Sequence, residues 1–377
     1  MPLWYAIEKL FMTSIGFTTA SIGLSVAIMS IVMLGVETPS GVLADRWSRR
    51  GVLQLSCLSL LLCALLGGLS TTVPMYIASI IFWGIFAALY SGTCESMIYD
   101  TVMEERGESQ RYEYYLGRFR AVEGSAFVLG ALVAGLVANY ISMRATFYIS
   151  MPLILAGGLW LFGFREPVLH RSEVAEPVLR HIRQTFAAVL RNRNLLPVVV
   201  ATVGYAVVLE AMLELSQLWF IALATPIALY GVIGATIFST WIFGGPLATA
   251  LRSRAAAVLG LLAMGAAVVG LATRTNYWVA LGAQFVLGAL LVAYGVILSR
   301  KLHDELPSRL RAGSASVMST IGRCLLIPVF IVFTNFGSRH SIFMATYLLI
   351  ILVLVASVAY VGTMRRARPT DVHEPPA

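Results

Sequence analysis

The chain has 377 residues, of which 58% are apolar and only 12% charged, and its mean hydropathy is +0.82. A soluble globular domain has about 45–50% apolar and about 25% charged residues, so this composition excludes a water-soluble enzyme or regulator and, equally, a disordered chain. The formal net charge of +8 would fit a nucleic-acid partner only if the cations formed a patch outside the apolar segments.

The apolar runs predict twelve membrane-spanning helices, since one span needs about 20 mainly apolar residues. Runs such as 52–69 are continuously apolar, unlike the alternating segments of a membrane β-barrel. The predicted fold class is therefore an all-α polytopic membrane protein. In chain order, we place the spans at 1–15, 20–40, 52–69, 73–97, 110–136, 144–164, 195–220, 226–248, 255–272, 276–298, 313–334 and 341–362.

The first predicted span is short, with about 15 residues before Gly16. At 1.5 Å per residue that is about 22 Å, less than the ~30 Å hydrocarbon core of a bilayer. We expect either a truncated first helix or a native start upstream of Met1.

Basic residues are concentrated on one side of this topology. Connections after even-numbered spans, together with the C-terminal tail, hold 22 of the 27 Lys and Arg residues, or 20 if Arg118 and Arg120 belong to span five, whereas connections after odd-numbered spans hold three. The positive-inside rule places the even connections and the C-terminus in the cytoplasm of a cell-membrane protein. The net charge is then a topology signal, and no nucleic-acid partner is expected.

A long polar interruption at residues 165–194 divides the chain into two similar halves. Gly117-Arg118 of the first half has a counterpart in Gly322-Arg323, at an offset of 205 residues. Paired repeats are common in secondary transporters. The predicted organisation is a six-helix bundle at 1–164, a cytoplasmic linker at 165–194, a second bundle at 195–364 and a cytoplasmic tail at 365–377.

Residues 41–51, GVLADRWSRRG, lie in the turn between spans two and three. This segment resembles the signature loop of the major facilitator superfamily, although Ser48 stands where that family usually has glycine. The resemblance implies two pseudo-symmetric six-helix bundles that alternate in access to a central site. It also implies that the loop latches the two halves in one conformation, and it assigns gating to Gly41, Asp45, Arg46, Arg49 and Arg50.

Ionisable side chains within the predicted spans are functional candidates, because each costs about 2.5–3.5 kcal/mol to insert at the bilayer centre. The candidates for proton coupling or substrate binding are Glu8, Arg118, Arg120, Glu123, Glu210, Glu214 and Arg323. A predicted charge network nearer the cytoplasmic ends of spans two and four consists of Glu37, Glu95 and Asp100.

The spacing of these residues suggests partners. Glu210 and Glu214 are four residues apart and share a helix face, where they either titrate as a proton site or lie solvated near the outer end of span seven. Glu123 has two alternative partners, Arg323 across the pseudo-symmetry axis and Arg120 within one turn. Glu8 points about 100° away from Lys9 on a helix, so these two need not pair.

The sequence thus predicts a secondary active transporter, most simply one that exports a small, largely apolar organic compound in exchange for protons. Uptake of an organic anion held by Arg118 or Arg323 is the alternative within transport, and a receptor or scaffold that has lost transport is the alternative of another class. Motifs for nucleotide, metal or hydrolase chemistry are absent from the sequence, so no enzyme, cofactor or metal is predicted. The expected partners are a small-molecule substrate, the proton and the lipid bilayer, and the chain is expected to be a monomer.

Overall fold

The computed structural model describes residues 2–106, 110–166, 195–274, 276–305 and 308–366. Within these ranges the regular elements are helices, and no strand occurs. The predicted linker at 165–194 lies outside the described residues except for positions 165 and 166, as does the tail from 367 onward.

The first half begins with a 3₁₀ segment, Leu3–Ile7, that continues into a short helix. Its helices are α1 (Glu8–Ser14), α2 (Thr19–Arg46), α3 (Arg49–Leu69), α4 (Val73–Arg106), α5 (Gln110–Tyr140) and α6 (Met143–Trp160).

The second half repeats this pattern, with a short helix Gln217–Ala222 following its first long one. Its helices are α7 (Leu196–Leu215), α8 (Tyr230–Ala250), α9 (Arg254–Ala272), α10 (Tyr277–Glu305), α11 (Ser308–Arg339) and α12 (Ile342–Arg366).

Eleven segments of the described chain are long and apolar enough to cross a membrane, and the Leu3–Ser14 stretch is too short to be one of them. The predicted all-helical fold with one short first helix is confirmed. Three helices extend beyond the predicted span ends at 40, 97 and 298, to Arg46, Arg106 and Glu305. Hydropathy marks where the lipid ends, whereas backbone hydrogen bonding continues the helix into the polar interface.

Short serine-capped turns separate several of these helices. Ser48, Ser142 and Ser253 each precede a helix and accept a hydrogen bond from the backbone N–H three residues later. Such caps satisfy one of the four free donors at a helix N-terminus. The turn before α2 also contains Gly16 in the left-handed region, at φ +98°, where a side chain would be strained.

Large apolar side chains cover the outside of the bundle. Leu129, Leu259 and Val358, for example, are 64%, 65% and 74% exposed. An apolar outer surface of this extent fits a lipid surrounding rather than water.

The helices pack mainly within each half. In the first half, α3 packs on α4 and α6, and in the second half α10 packs on α8 and α9; the halves meet along α2 with α11 and along α5 with α8. We call the end where α2, α4, α8, α10 and α12 finish the basic end, and the end that holds the turn at Gly16 the opposite end.

The two halves touch closely at the opposite end. A Cβ added to Gly23 of α2 would lie 1.7 Å from Thr334 Oγ1 of α11, and one added to Gly135 of α5 would lie 2.6 Å from Gly231 Cα of α8. Gly41, near the basic end of α2, has no heavy atom within 4 Å of its added Cβ. Glycine thus permits backbone contact between the halves at the opposite end.

We expect Gly231→Ala to destabilise this arrangement. Its added Cβ would meet Ala131 O at 2.8 Å and Gly135 Cα at 3.0 Å, and because both are backbone atoms neither can move cheaply. Overpacking of this kind costs about 1–3 kcal/mol, more than the ~1 kcal/mol that alanine gains over glycine in a helix. The Tm of the purified chain in detergent should therefore fall.

The matched control is Gly282→Ala in α10, where nothing lies within 4 Å of the added Cβ and the Tm should stay the same or rise. Equal melting of the two variants would contradict the close contact of α5 with α8.

Candidate functional site

A central cavity of about 320 Å³ lies between the two halves, lined by α2, α4, α7 and α11. Most of its wall is apolar, and its ionisable lining residues are Glu210, Glu214 and Arg323. A second cavity of about 790 Å³ also includes Glu210 and follows α7, α8 and α10 to Arg300 at the basic end. The space beside Glu210 thus continues toward the basic end along helices of the second half, while the two halves are in close contact at the opposite end.

Lys9 lies at the opposite-end side of this cavity, between two carboxylates that belong to different halves. Its Nζ is 2.5 Å from Glu8 Oε2 and 3.4 Å from Glu214 Oε2. All three residues are buried, at 8%, 4% and 8% exposed for Glu8, Lys9 and Glu214. An ammonium group therefore joins α1 of the first half to α7 of the second, away from water.

Two tyrosines complete the hydrogen bonding of these carboxylates. Tyr76 donates its hydroxyl to Glu8 Oε1 and Tyr5 donates to Glu214 Oε1, each at 2.9 Å. All four carboxylate oxygens of Glu8 and Glu214 thus have a partner, which a buried ion pair needs in order to offset its desolvation.

Gln217 fixes the backbone of the first segment against the second half. Its Oε1 accepts from the backbone N–H of Lys9, and its Nε2 donates to the backbone carbonyl of Tyr5, both at 2.9 Å. This double contact holds α1 at the start of the short helix Gln217–Ala222. We call Glu8, Lys9, Glu214 and their partners Tyr5, Tyr76 and Gln217 the Lys9 cluster.

The expectation that Glu8 and Lys9 need not pair is wrong. Both residues lie in the first turn of α1, where their Cα–Cβ directions diverge but their flexible side chains can still converge. The long lysine side chain also reaches back to its neighbour.

Glu210 differs from Glu214, although both line the central cavity. Its side chain is exposed into the cavity, and among the described residues no hydrogen bond or ion pair engages it. The i, i+4 spacing has thus placed both carboxylates on the cavity side of α7, one tied to the Lys9 cluster and one open to a ligand.

Arg323 faces the same cavity from α11. Its Nε is 3.7 Å from Glu37 Oε2 of α2, and its Nη1 is 3.2 Å from Met33 Sδ. The Nε is buried and makes no hydrogen bond. The guanidinium therefore has one loose ionic partner, from the other half.

Of the two partners expected for Glu123, the structure forms the local one. Arg120 Nη1 lies 2.7 Å from Glu123 Oε2, and Tyr90 donates to Glu123 Oε1 at 3.0 Å. Arg120 also pairs with Glu95 of α4. Glu123 and Arg323 do not pair: Glu123 is engaged within the first half, and Arg323 lies beside Glu37 of α2.

The remaining candidates do not line the central cavity. Arg118 is exposed and contacts Tyr114 four residues earlier. Glu37, Glu95 and Asp100 do not form one network; they are divided among separate ion pairs with Arg323, Arg120 and Arg49.

The signature loop is bonded within the first half. Arg49 pairs with Asp100 of α4, and Arg50 donates to the carbonyls of Phe162 and Phe164 after α6, at 3.5 and 3.3 Å. Arg46 is exposed, and the side chain of Asp45 lies outside the described part of the structure.

Ser48, the departure from the family pattern, has a structural use as the N-cap of α3. Glu166 strengthens the cap: its Oε1 accepts from the backbone N–H of Arg49 at 2.6 Å and its Oε2 from the Ser48 hydroxyl at 2.8 Å. A carboxylate at a helix N-terminus is also favoured by the helix dipole.

An aromatic row runs along α4. The ring centroids of Tyr5 and Trp83 are 5.5 Å apart, those of Trp83 and Phe86 5.4 Å, and those of Phe86 and Tyr90 5.6 Å. Positions 83, 86 and 90 repeat at helical spacing and so share one face. The row reaches from Tyr5, the partner of Glu214, to Tyr90, the partner of Glu123.

Sequence reasoning missed Lys9, Gln217, Tyr5, Tyr76 and Glu166 as site residues. Lys9 and Gln217 carried a signal, because an ammonium or an amide in an apolar run needs a partner. The tyrosines carried none, since a tyrosine in a membrane helix is equally an interfacial anchor. In the described ranges, no group of three or more His, Cys, Asp or Glu residues is placed to hold a metal ion.

We expect Lys9→Met to destabilise the chain strongly, because it leaves the Glu8 and Glu214 carboxylates buried without their shared cation. Removing one partner of a buried ion pair costs about 3–5 kcal/mol. The readout is the Tm in detergent.

The double variant Lys9→Met/Glu8→Gln removes one of the stranded charges, and it should recover part of the lost stability. A Lys9→Met chain that melts like the wild type, or a double variant no better than the single one, would contradict the coupling.

Comparison with known proteins agrees with this architecture. Residues 2–330 match the family profile described as Major Facilitator Superfamily. The fold is similar to that of the nucleoside transporter NupG, at 14% identity and a TM-score of 0.75 over 97% of this chain and 94% of that one. It is also similar to a D-xylose–proton symporter, at 15% identity and a TM-score of 0.70 over 96% and 94% of the two chains.

A third similar structure is a bacterial homolog of the human lysosomal transporter Spinster, in an inward-facing and unoccupied conformation. It is 13% identical with a TM-score of 0.75, over 97% of this chain and 93% of that one. Identities this low establish only the common fold, whereas the profile match extends over most of the sequence. The chain belongs to the major facilitator superfamily, and it is a membrane transporter rather than an enzyme.

Proposed function

We propose that this secondary transporter works by alternating access and exports a small, largely apolar organic compound in exchange for protons. The observation that supports the proposal is Glu210, a carboxylate without a protein partner in the described structure, in an otherwise mainly apolar cavity between two halves.

A carboxylate in such a place is suited to proton exchange. An ionised group at membrane depth is costly in free energy. That cost falls when the charge of Glu210 is removed by a proton or balanced by a ligand. Binding of a proton or of a ligand therefore changes the net charge of the cavity. If the proton or ligand binds one arrangement of the two halves more tightly than the other, it shifts the equilibrium between them.

Orientation follows from the basic residues. If the basic end faces the cytoplasm, as the positive-inside rule predicts, the arrangement described here is open to the inside and the C-terminus is cytoplasmic. A substrate for export would enter at the basic end and leave at the opposite end, across the cell membrane. The cavity is formed by a single chain, which supports a monomer as the working unit.

The signature loop is proposed to act as a gate at the basic end. In the present arrangement the contacts described for Arg49 and Arg50 lie within the first half. Closure at the basic end would bring the turn that carries Gly41, Asp45 and Arg46 against the second half, where Asp45 would latch it.

The alternative within transport is proton-coupled uptake of an organic anion. Arg323 supports it, because its Nε is buried without a hydrogen bond beside the cavity. A receptor or scaffold is less favoured, because it would gain nothing from the insertion cost of Glu210 and Arg323.

The direct test is a panel of compounds on sealed vesicles that contain the purified chain, with an imposed pH gradient and a pH-sensitive dye inside. We expect a substrate to move protons in the opposite direction to itself, and Glu210→Gln to abolish that movement. Glu105→Gln, at an exposed position at the end of α4, is the matched control.

Proton movement that survives in Glu210→Gln would contradict the proton role of this carboxylate. Movement of protons together with an anion would favour the uptake alternative, and its loss in Arg323→Gln would identify the anion site. No proton movement with any compound, in a chain that folds normally, would favour a scaffold.

We expect Asp45→Asn to slow transport without affecting insertion or folding. Neutralising the side chain removes the ionic latch that closes the basic end, so the chain should remain in the arrangement that is open there. Substrate flux in vesicles measures the effect, and labelling of a cysteine introduced at Gly41 should become more complete. Normal flux in this variant would remove the gating role.

A further inference from the structure

We propose that the substrate is an organic cation with an apolar body, bound by Glu210 and by the aromatic row of Trp83, Phe86 and Tyr90. This inference rests on the proposed function in taking the central cavity as the substrate site, and it adds the sign of the substrate's charge.

The first observation is the charge balance around the central cavity. Glu210 and Glu214 line it, Glu8 belongs to the Lys9 cluster beside it, and Glu37 lies beside the lining residue Arg323. Among the described residues, the cations that pair with these carboxylates are Lys9 and Arg323. When all six are ionised, two negative charges remain in excess, so a cationic ligand is favoured and an anionic one is not.

The second observation is that the excess negative charge is not shared equally among these carboxylates. Both oxygens of Glu214 are engaged, one by Tyr5 and one by Lys9, and both oxygens of Glu8 are engaged by Tyr76 and Lys9. Glu210 has no such partners among the described residues, and its side chain is open to the cavity. It is therefore the group at which a cation would offset the largest unbalanced charge.

Arg323 does not reverse this preference. It lies at 3.7 Å from Glu37, which already offsets part of its charge. An organic anion placed on Arg323 would share the cavity with Glu210 and would increase the excess of negative charge. Arg300 lines the second cavity toward the basic end and belongs to the entrance rather than to the central site.

The third observation is the aromatic row, which supplies the second element of cation recognition. A cation over an aromatic face gains about 0.5–1 kcal/mol at exposed sites and ~2 kcal/mol or more when desolvated. Trp83 lines the central cavity itself, and the stacked rings of Phe86 and Tyr90 continue the row along α4.

The row also has a carboxylate at each end. Tyr5 donates to Glu214 near the central cavity, and Tyr90 donates to Glu123 nearer the basic end. Both of these carboxylates are paired with cations, Glu214 with Lys9 and Glu123 with Arg120, so the unpaired charge beside the row is that of Glu210. Apolar lining residues such as Met29, Met33 and Met318 provide an adaptable surface for the rest of the molecule.

Equilibrium binding to the purified full chain tests the inference without any gradient. The probes are benzyltrimethylammonium, a permanent cation, and neopentylbenzene, its neutral carbon isostere, with phenylacetate as an anion and tetraphenylphosphonium as a larger cation. Calorimetric titration against the chain in detergent, with protein-free micelles as the blank, measures each Kd.

We expect at least one cation to bind, and to bind about tenfold or more tightly than the neutral isostere, since a charge interaction of ~1.4 kcal/mol corresponds to a factor of ten. Glu210→Gln should remove that preference. Trp83→Leu should weaken cation binding about three- to tenfold, as expected for the loss of a cation–π contact, and Trp83→Phe should restore part of it. Glu105→Gln should leave all four Kd values unchanged.

Several results would overturn the inference: no binding of either cation, equal binding of neopentylbenzene, tighter binding of phenylacetate, or an unchanged cation preference in a folded Glu210→Gln chain. If that variant fails to fold, Trp83→Leu and Trp83→Phe still test the inference. A purely structural effect of these substitutions would weaken the binding of the cation and of the neutral isostere alike.

Failure of this inference is distinguishable from failure of the proposed function. A neutral compound that binds and moves protons in vesicles would refute the inference that the substrate is a cation, and proton-coupled transport would still stand. A cation that binds with the expected selectivity but moves no protons would support the proposed binding site and contradict proton coupling.

Discussion

The position of Lys9 between Glu8 and Glu214 is the constraint on which the closed end of this transporter depends. Two buried carboxylates from opposite halves would repel one another, and a single ammonium converts that repulsion into a link. The Tyr5 and Tyr76 hydroxyls bind the carboxylate oxygens that do not contact the ammonium, and the Gln217 amide holds the backbone of Tyr5 and Lys9. Because removing one partner of a buried ion pair is strongly destabilising, this cluster links the two halves.

This link and the glycine contacts act at the same end of the molecule. The close approaches of Gly23 to Thr334 and of Gly135 to Gly231 bring backbones together where the Lys9 cluster pairs charges. At the other end, the second cavity runs along α7 to Arg300, and the signature-loop arginines are bonded within their own half. α2 and α11 thus meet at Gly23 and Thr334 and leave room for the central cavity between Met29–Met33 and Met318–Leu326.

Four residues separate the tied carboxylate of Glu214 from the open one of Glu210, about one helical turn on α7. One therefore serves packing between the halves, while the other faces the space where a ligand would lie. The division results from the neighbours of each: Tyr5 and Lys9 come from the segment at the start of the chain, which reaches Glu214, and nothing in the described structure engages Glu210. A shared helix face thus does not imply a shared role.

Composition and local pattern were sufficient to predict the helical membrane fold, the short first segment, the signature loop and the family. These features depend on lipid solvation and on residues that are neighbours in sequence. The residues of the site were only partly predictable: the intramembrane carboxylates were found because their insertion cost is local, and the Arg120–Glu123 pair was one of two alternatives because its spacing is local. The contacts of Glu214 with Lys9 and Tyr5, and of Arg323 with Glu37, were decided by tertiary structure alone, since they join residues more than 200 positions apart that meet only when the two halves pack.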